Sequence, residues 1–386
     1  MRLRHIASSI LALLAIATFT QCTTQKHWVG TWGTAGQLVE PHNNPPALGL
    51  GGNTIRQIVQ VSIGGEEVRL QLTNEFSKEP TEIIAIELAH ATTSGSSSDI
   101  DEGTTVSLTF GGQSGITMQP GEIVTSDPVK FAMGDRQNVA ITIHYGKASS
   151  TSVSGHPGSR TTSYIASGNT TDFTNAVRTD HWYNIKGIDV LAPMEAGAIA
   201  ILGNSITDGR GSTTNQQDRW PDVLSRRLLA NKPTSQVAVL NMGIGGNCML
   251  GGGLGPTGRQ RYQRDLINQA GVKWIILFEA VNDLGYARDG VQSANMIIDV
   301  YKQIIQEAHE KGIYVYGATI TPFKNNGYYT EDHEKGRQHL NNWMRTTDLL
   351  DGVIELEHAV RDPQDPASMH KDYLFENDYL HPNAKG

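Results

Sequence analysis

The first half of the chain alternates hydrophobic and polar residues over short runs, from about Trp28 to Ile185. Such alternation is typical of strands with one buried face. The runs at 54–62 and 67–73 flank Gly64-Gly65 and predict a β-hairpin. Clusters rich in Gly and Ser separate the further predicted strands, which lie at 83–88, 105–110, 129–131, 139–144 and 161–165. Many short strands at this spacing predict a β-sandwich-like domain over residues 28–190.

The pattern changes from about Gly197, where short apolar runs begin to alternate with segments of helical periodicity. Strands are predicted at 198–202, 236–241, 272–278, 313–320 and 352–355, and helices at 220–230, 291–311 and 331–345. Strands that alternate with helices of this length predict a parallel sheet with helices on both faces. We therefore expect an α/β domain over residues 195–386, with the boundary near residues 186–196.

Residues 1–22 have the pattern of a targeting leader. Arg2 and Arg4 precede an apolar stretch that is too short to span a membrane comfortably. Cys22 stands where a lipidated cysteine would stand, and ordinary cleavage after residues 15–17 is the alternative. Both interpretations predict an exported protein, either a periplasmic or cell-surface lipoprotein or a secreted one.

Composition narrows the function classes. The formal net charge is -8 and no basic run stands out among 386 residues, which argues against a nucleic-acid partner. No zinc-binding or phosphate-binding motif is present, so no metal or cofactor is expected. Cys248 is the second of only two cysteines, and we expect it to be a buried structural thiol rather than a reactive one.

Chemistry-bearing residues follow the first α/β strand and recur at the end of the chain. Ser205 stands in the segment 202–209 (LGNSITDG), and the carboxyl ends of parallel strands are where α/β folds place their sites. A plain strand-to-helix turn with a capping serine is the alternative. Asp378 precedes His381 by three residues, so one short segment supplies both an imidazole base and a carboxylate to orient it. The sequence therefore predicts an activated serine nucleophile.

Two middle segments also follow predicted strands. The first, 241–247 (NMGIGGN), offers backbone N–H groups at its glycines. The second, 278–283 (FEAVND), offers the side-chain amide of Asn282. Donors of this kind stabilise the oxyanion of a tetrahedral intermediate. Glycine turns and Asn-Asp turns are common, but four such segments in this order form a specific set.

These four segments resemble the four blocks of the SGNH (GDSL-type) hydrolase family, over about Ala198 to Gly386. The resemblance implies a flavodoxin-like, three-layer α/β/α domain that hydrolyses acyl esters without a cofactor. It implies that Ser205 is the nucleophile and that His381 is the base, oriented by Asp378. It also implies an oxyanion hole formed by the N–H groups of Ser205 and Gly246 and the amide of Asn282.

The sequence departs from the family pattern in three places. Asn204 stands where the family usually has Asp before the serine, and Glu279 stands where a glycine is often found. Glu279 is a candidate for lining the site and tuning specificity. The family normally continues beyond the block around His381 with a closing helix, so a C-terminally truncated domain and a different closure are both open.

The N-terminal part resembles a secreted, xylanase-associated arylesterase/acylhydrolase branch, in segments 28–35 and 68–76. That resemblance implies acetyl or aryl esters on plant polysaccharides or their oligosaccharides as substrates. Arg56 and Asn74 either reach the active cleft or serve the sandwich. A lysophospholipase or thioesterase, and an inactive glycan-binding protein, are the alternatives. The candidates for stacking on sugars are Trp220, Tyr262 and Trp274, with core positions as the alternative for the two tryptophans.

Overall fold

A computed structural model describes residues 25–386. The expected leader and Cys22 lie outside the described residues. Among residues 25–386, no helix is both long enough and apolar enough to cross a membrane.

Residues 25–193 contain fifteen strands, which form three antiparallel sheets. The strands are β1 Lys26–Gly33, β2 Gln37–Leu38, β3 Thr54–Gln60, β4 Gly65–Thr73, β5 Thr81–Ala91, β6 Ile100–Ser107, β7 Ile116–Met118, β8 Ile123–Thr125, β9 Val129–Met133, β10 Asn138–Tyr145, β11 Ser154–His156, β12 Ser163–Ala166, β13 Val177–Thr179, β14 Trp182–Tyr183 and β15 Ile185–Pro193. The first large sheet has the strand order β1-β15-β4-β8, and β9 also pairs with β4. The second large sheet has the order β13-β12-β3-β10-β5-β6, and β7 also pairs with β5; the third sheet is small, with the order β14-β11-β2.

The predicted hairpin at Gly64-Gly65 is wrong, although both of its strands exist. β3 pairs with β10 and β12, whereas β4 pairs with β15, β8 and β9, so the two strands belong to different sheets. Val59 on β3 and Val68 on β4 are both fully buried. The link between them therefore carries the chain from one sheet to the other instead of reversing it within one.

The second region contains five strands and seven α-helices. They are β16 Gly197–Gly203, α1 Ser205–Asp208, α2 Trp220–Ala230, β17 Val237–Gly243, α3 Gly258–Tyr262, β18 Val272–Phe278, α4 Val281–Gly285, α5 Gly290–Glu310, β19 Tyr314–Ala318, α6 Glu331–Thr346, β20 Gly352–Ile354 and α7 Leu356–Val360. All neighbouring strands are parallel, in the order β17-β16-β18-β19-β20. This confirms the predicted parallel sheet, and α2 and β18 have the predicted bounds. The order is that of a doubly wound sheet, whose functional residues gather at the carboxyl ends of the strands.

The two regions share one hydrophobic core. Buried residues such as Val29 of β1 and Leu240 of β17 belong to a single cluster. Polar contacts cross the same interface, since the Ser62 hydroxyl donates to the carbonyl of Val239 at 3.0 Å and the Gly30 amide donates to Ala270 at 2.8 Å. β15 runs through residues 185–193, where the boundary was placed, and pairs with β1 and β4. The exact division into domains stays a prediction.

Candidate active site

The serine predicted as nucleophile lies in the turn between β16 and α1. Asn204 precedes α1, and its side-chain oxygen accepts a hydrogen bond from the Ile206 amide at 3.1 Å. Gly203 is the last residue of β16. A Cβ atom at this position would lie 2.1 Å from the Thr207 hydroxyl, so only glycine fits here. Ser205 is the first residue of α1, and its N–H therefore has no acceptor within the helix.

His381 meets Ser205 from the C-terminal segment. The Ser205 Oγ lies 2.7 Å from His381 Nε2, and His381 Nδ1 lies 2.6 Å from Asp378 Oδ2. The other oxygen of Asp378 accepts hydrogen bonds from the amides of Leu380 and His381, each at 2.9 Å. The carboxylate therefore fixes both the ring and the backbone that carries it. The Asn326 amide adds a bond to the Asp378 carbonyl at 2.7 Å.

The electrostatics of this pair keep the imidazole neutral near physiological pH. Burial lowers the pKa of His381 below its ordinary value, and the neighbouring charge of Asp378 opposes this without overcoming it. The positive charges of Arg210 and Arg160 lower the pKa of His381 further. Partial burial would raise the pKa of Asp378, but the hydrogen bonds from the amide and ring of His381 and from the Leu380 amide outweigh it and lower that pKa. A neutral imidazole beside a carboxylate is the form that accepts a proton from a hydroxyl.

The two middle segments are joined to each other. The side-chain N–H of Asn282, on α4, donates to the Asn247 carbonyl at 2.7 Å, which ties this side chain to the loop that contains Gly246. Because an amide carries two N–H groups, one remains for a ligand. Gly246 has φ of 68°, and within residues 25–386 its N–H has no hydrogen-bond partner. Both residues therefore retain a donor of the kind that an oxyanion requires.

Two side chains that the sequence analysis missed hold these segments. The Tyr328 hydroxyl donates to Asn282 Oδ1 at 3.1 Å, which orients the amide group. The Asp283 carboxylate accepts the amides of Met249 at 2.7 Å and Leu250 at 2.9 Å. Burial raises the pKa of Asp283 to about 6 even though these bonds oppose the shift. Asp283 directly follows Asn282, so the sequence could have indicated it, whereas no motif or periodicity near Tyr328 points to a role for that residue.

A histidine from the first region supports the helix that begins at Ser205. His156 Nε2 lies 2.8 Å from Asp208 Oδ1, and its Nδ1 lies 2.9 Å from the Ala35 carbonyl. Both His156 and Asp208 are buried. The β-rich region therefore directly contacts the helix that carries Ser205.

Two of the three departures from the family pattern, Asn204 and Glu279, meet beneath the site. Glu279 is fully buried, and its Oε1 accepts a hydrogen bond from the Asn204 side chain at 2.9 Å. Its other oxygen has no hydrogen-bond partner among the described residues and lies 4.0 Å from Arg261. Burial, followed by the nearby Asp283, raises the pKa of Glu279 well above its ordinary value. Full burial gives Glu279 a supporting position rather than a place in the lining of a cleft.

Other candidates have structural positions. Arg56 donates to Thr142 and to the Ser98 carbonyl, and Asn74 donates to the carbonyls of Glu79 and Met118, so both serve the β-rich region. Cys248 is buried, and burial raises the pKa of its thiol to about 12, as expected for an unreactive cysteine.

The aromatic candidates for sugar stacking differ in how far they are buried. Tyr262 is buried and belongs to the core, whereas Trp220 is partly buried and packs edge-on against Phe278. Trp274 lies within β18. Tyr286 was not among the candidates, yet it is 67% exposed and its hydroxyl lies 3.0 Å from that of Tyr328. Among residues 25–386, no group of three or more His, Cys, Asp or Glu residues is placed to hold a metal ion.

Part of the chain matches the model of a known protein family. Residues 201–386 match the model of the GDSL-like Lipase/Acylhydrolase family. No curated protein matches the chain in sequence.

The solved structures to which this chain is similar include two esterases and one lipase. A family two carbohydrate esterase from Clostridium thermocellum, in complex with cellohexaose, is 13% identical, with 87% of this chain and 88% of that chain covered and a TM-score of 0.35. An acetyl xylan esterase, AlAXEase, is 21% identical, with 49% and 93% covered and a TM-score of 0.35. A GDSL-like lipase from Bacteroides thetaiotaomicron is 16% identical, with 49% and 80% covered and a TM-score of 0.35. At these identities and TM-scores, the solved structures decide neither activity nor substrate.

Proposed function

We propose, on the premise that residues 201–386 belong to the GDSL-like lipase/acylhydrolase family of carboxylic ester hydrolases, that Ser205, His381 and Asp378 are the catalytic residues of this chain. The observation that carries the proposal is the continuous contact from Ser205 Oγ to His381 Nε2 at 2.7 Å and from His381 Nδ1 to Asp378 at 2.6 Å. Nucleophile, base and orienting carboxylate at these distances are the arrangement that activates a serine.

The proposed reaction proceeds in two steps. Ser205 Oγ attacks the ester carbonyl carbon while His381 Nε2 takes the hydroxyl proton. The N–H groups of Ser205 and Gly246 and the free amide N–H of Asn282 stabilise the oxyanion. The intermediate collapses to an acyl-enzyme as His381 gives the proton to the leaving alcohol. Water then attacks the acyl-enzyme, with His381 again as base, and releases the carboxylic acid and the free Ser205.

The fold around this site is part of the proposal. When the five parallel strands β16 to β20 are counted in chain order, their order in the sheet is 2-1-3-4-5. This order supports a flavodoxin-like, three-layer α/β/α domain. We further propose that the chain is exported, on the strength of the leader pattern in residues 1–22 and with lipidation at Cys22 or secretion as the two routes.

Acylated plant polysaccharides or their oligosaccharides are the proposed substrates. The resemblance of the N-terminal segments to a xylanase-associated branch suggests this class, and one feature of the site supports it. Tyr286 is 67% exposed and reaches Asn282 through Tyr328, so an aromatic face stands open at the edge of the oxyanion side. Exposed aromatic rings of this kind bind the apolar face of a sugar.

The test compares wild type with Ser205→Ala on 4-nitrophenyl acetate, with acetate release from acetylated xylan and pectin measured alongside. We expect activity to fall at least about 10³-fold in the variant, as for the loss of a triad nucleophile. Equal, negligible turnover by both folded proteins would contradict the proposal and favour the glycan-binding alternative. Faster hydrolysis of long-chain than of acetyl esters would instead favour a lysophospholipase or thioesterase.

A further inference from the structure

A buried arginine connects three parts of the proposed active site. Arg261, on α3, is 1% exposed, and its guanidinium donates to the Gly203 carbonyl at 3.0 Å, the Met242 carbonyl at 2.6 Å and Asn247 Oδ1 at 3.0 Å. Gly203 ends the strand before the nucleophile, and Met242 stands one residue before the end of the next strand. One planar group therefore fixes the spacing between two strand ends and the loop beyond them.

The loop contact reaches the oxyanion side. Asn247 follows Gly246 directly, and its carbonyl accepts the side-chain N–H of Asn282 at 2.7 Å. Its side chain also donates to the carbonyls of Leu254 and Pro256, at 2.7 and 2.9 Å. A shift of Asn247 would therefore move both the Gly246 amide and the partner that orients Asn282.

The charge of Arg261 is stabilised by a buried cluster that crosses between the two regions. Asp265, one helical turn further, lies 3.2 Å from the Arg261 guanidinium and is fully buried. Burial alone would raise the pKa of Asp265, but the charge of Arg264, followed by those of Lys186 and Arg261, lowers it to about 2. Lys186 belongs to β15 of the β-rich region and lies 3.7 Å from Asp265 and 3.5 Å from Glu75.

The side chains of Arg261 and Asp265 are fully buried, so this pair is not a surface salt bridge and calls for a role of its own. Ion pairs inside a protein contribute little net stability over apolar side chains of similar size, because desolvation offsets most of their attraction. A guanidinium, however, offers donors in a rigid fork that can hold several carbonyl oxygens in one geometry. Three oxygens beneath the site are held by Arg261, and each belongs to a segment whose position the reaction requires.

We propose that Arg261, anchored through Asp265 to Lys186 of the β-rich region, is a positioning residue for the nucleophile and oxyanion segments. The inference rests on the proposed esterase function and assigns part of the catalytic geometry to the first region of the chain. It also gives that region a role in hydrolysis that does not depend on glycan binding.

The experiment measures kcat and KM for 4-nitrophenyl acetate in the full chain, with Ser205 titrated by a 4-nitrophenyl phosphonate ester. Release of one 4-nitrophenol per phosphonylated serine counts the competent sites, so kcat is expressed per titrated site. We expect Arg261→Gln to lower this kcat about 10²-fold with KM changed less than about threefold, since a misplacement of about 1 Å costs that much. Asp265 keeps its contacts with Arg264 at 2.6 and 2.8 Å in this variant, which favours folding.

Conservative and control variants separate positioning from folding. Arg261→Lys retains the charge and part of the donor set, and we expect it to recover about tenfold of the lost kcat. Lys186→Met tests the link to the first region, and we expect kcat per site to fall about tenfold. Arg259→Gln removes an exposed arginine from the same helix and is expected to match wild type.

Each outcome has a distinct meaning. An Arg261→Gln protein that loses titratable sites while keeping wild-type kcat per site would show a folding role only and would overturn the proposal. A normal Lys186→Met beside an impaired Arg261→Gln would overturn the assigned link to the β-rich region. Wild type without Ser205-dependent turnover or phosphonylation would instead defeat the proposed function itself.

Discussion

The most direct test of the assigned base is Asp378→Asn, because this change removes one hydrogen bond of Asp378 and preserves the others. In wild type, Oδ1 accepts the amides of Leu380 and His381, and Oδ2 faces His381 Nδ1. An asparagine can keep both amide bonds through its oxygen. Its NH₂ group then faces Nδ1 and can only donate, so Nδ1 must present its lone pair. The proton of the neutral ring moves to Nε2, the atom that should accept the proton of Ser205.

The magnitude follows from losing the base while keeping the loop. We expect kcat to fall about 10³- to 10⁴-fold, which corresponds to about 4–5.5 kcal/mol of transition-state stabilisation. The two retained amide bonds and the partial exposure of Asp378 limit the destabilisation to about 1 kcal/mol. For a chain of 386 residues, this corresponds to roughly 1–2 °C in Tm.

The assay is hydrolysis of 4-nitrophenyl acetate at pH 7.5, with a thermal melt of each protein. Asp372→Asn is the matched control, because Asp372 is an exposed carboxylate of the same C-terminal segment and its side chain pairs with Lys385. We expect this control to retain wild-type kcat. An Asp378→Asn protein within tenfold of wild type, folded and stable, would refute the assignment of His381 and Asp378 as a catalytic pair.

Three further predictions concern the surroundings of the triad. The charge of Arg210 lowers the pKa of His381, so Arg210→Gln should raise that pKa and move the acid limb of the kcat/KM profile to higher pH. The acid limb of wild type should lie below pH 6.5, and an acid limb that does not move in the variant would contradict the prediction. Tyr328→Phe should lower kcat about three- to tenfold, because Asn282 loses the hydroxyl that orients its amide, and unchanged kinetics would remove Tyr328 from the site. The folded-state pKa of Asp283, about 6, lies above the ordinary 3.8, so its contribution is fully present below pH 3.8 and is lost as pH rises through 6. Wild type should therefore lose about 2.4 kcal/mol of unfolding free energy between pH 4 and pH 7 through this group, and Asp283→Asn should lack that decline. Urea titrations in which the variant runs parallel to wild type would exclude it.

The sequence predicted the elements of the fold better than their partners. The local alternation of hydrophobic and polar residues is enough to identify β3 and β4 as strands, because successive side chains point to opposite faces of a sheet. The partner of a strand is set by packing with distant segments. β3 pairs with β10 and β12, and β4 with β15, so the two runs nearest in sequence lie in different sheets. A glycine pair between alternating runs therefore indicates a turn, but it does not say which strand follows in the sheet.

The same distinction separates the site residues that were anticipated from those that were missed. Ser205, Asp378 and His381 carry reactive groups in segments whose spacing has a chemical reason, so the sequence alone could nominate them. Tyr328 contacts Asn282 across 46 residues, and His156 contacts Asp208 across 52. Supporting contacts of this kind depend on the assembled fold and leave no periodic or motif signal in the sequence.

Asn204 and Glu279 show how two departures from a family pattern can be one structural feature. Each looks separately like a loss, since an aspartate before the serine and a glycine after the third strand are the usual residues. In the structure, Asn204 accepts the Ile206 amide with its oxygen and donates to Glu279 with its nitrogen, at 3.1 and 2.9 Å. An ionised aspartate could perform the first role but has no proton to donate for the second. Leaving a buried carboxyl oxygen without a hydrogen bond costs free energy, and the Asn204 amide satisfies Glu279 Oε1 whether Glu279 is charged or neutral. The amide at position 204 supplies that donor directly beside Ser205, which is why the asparagine is compatible with the proposed role of this serine.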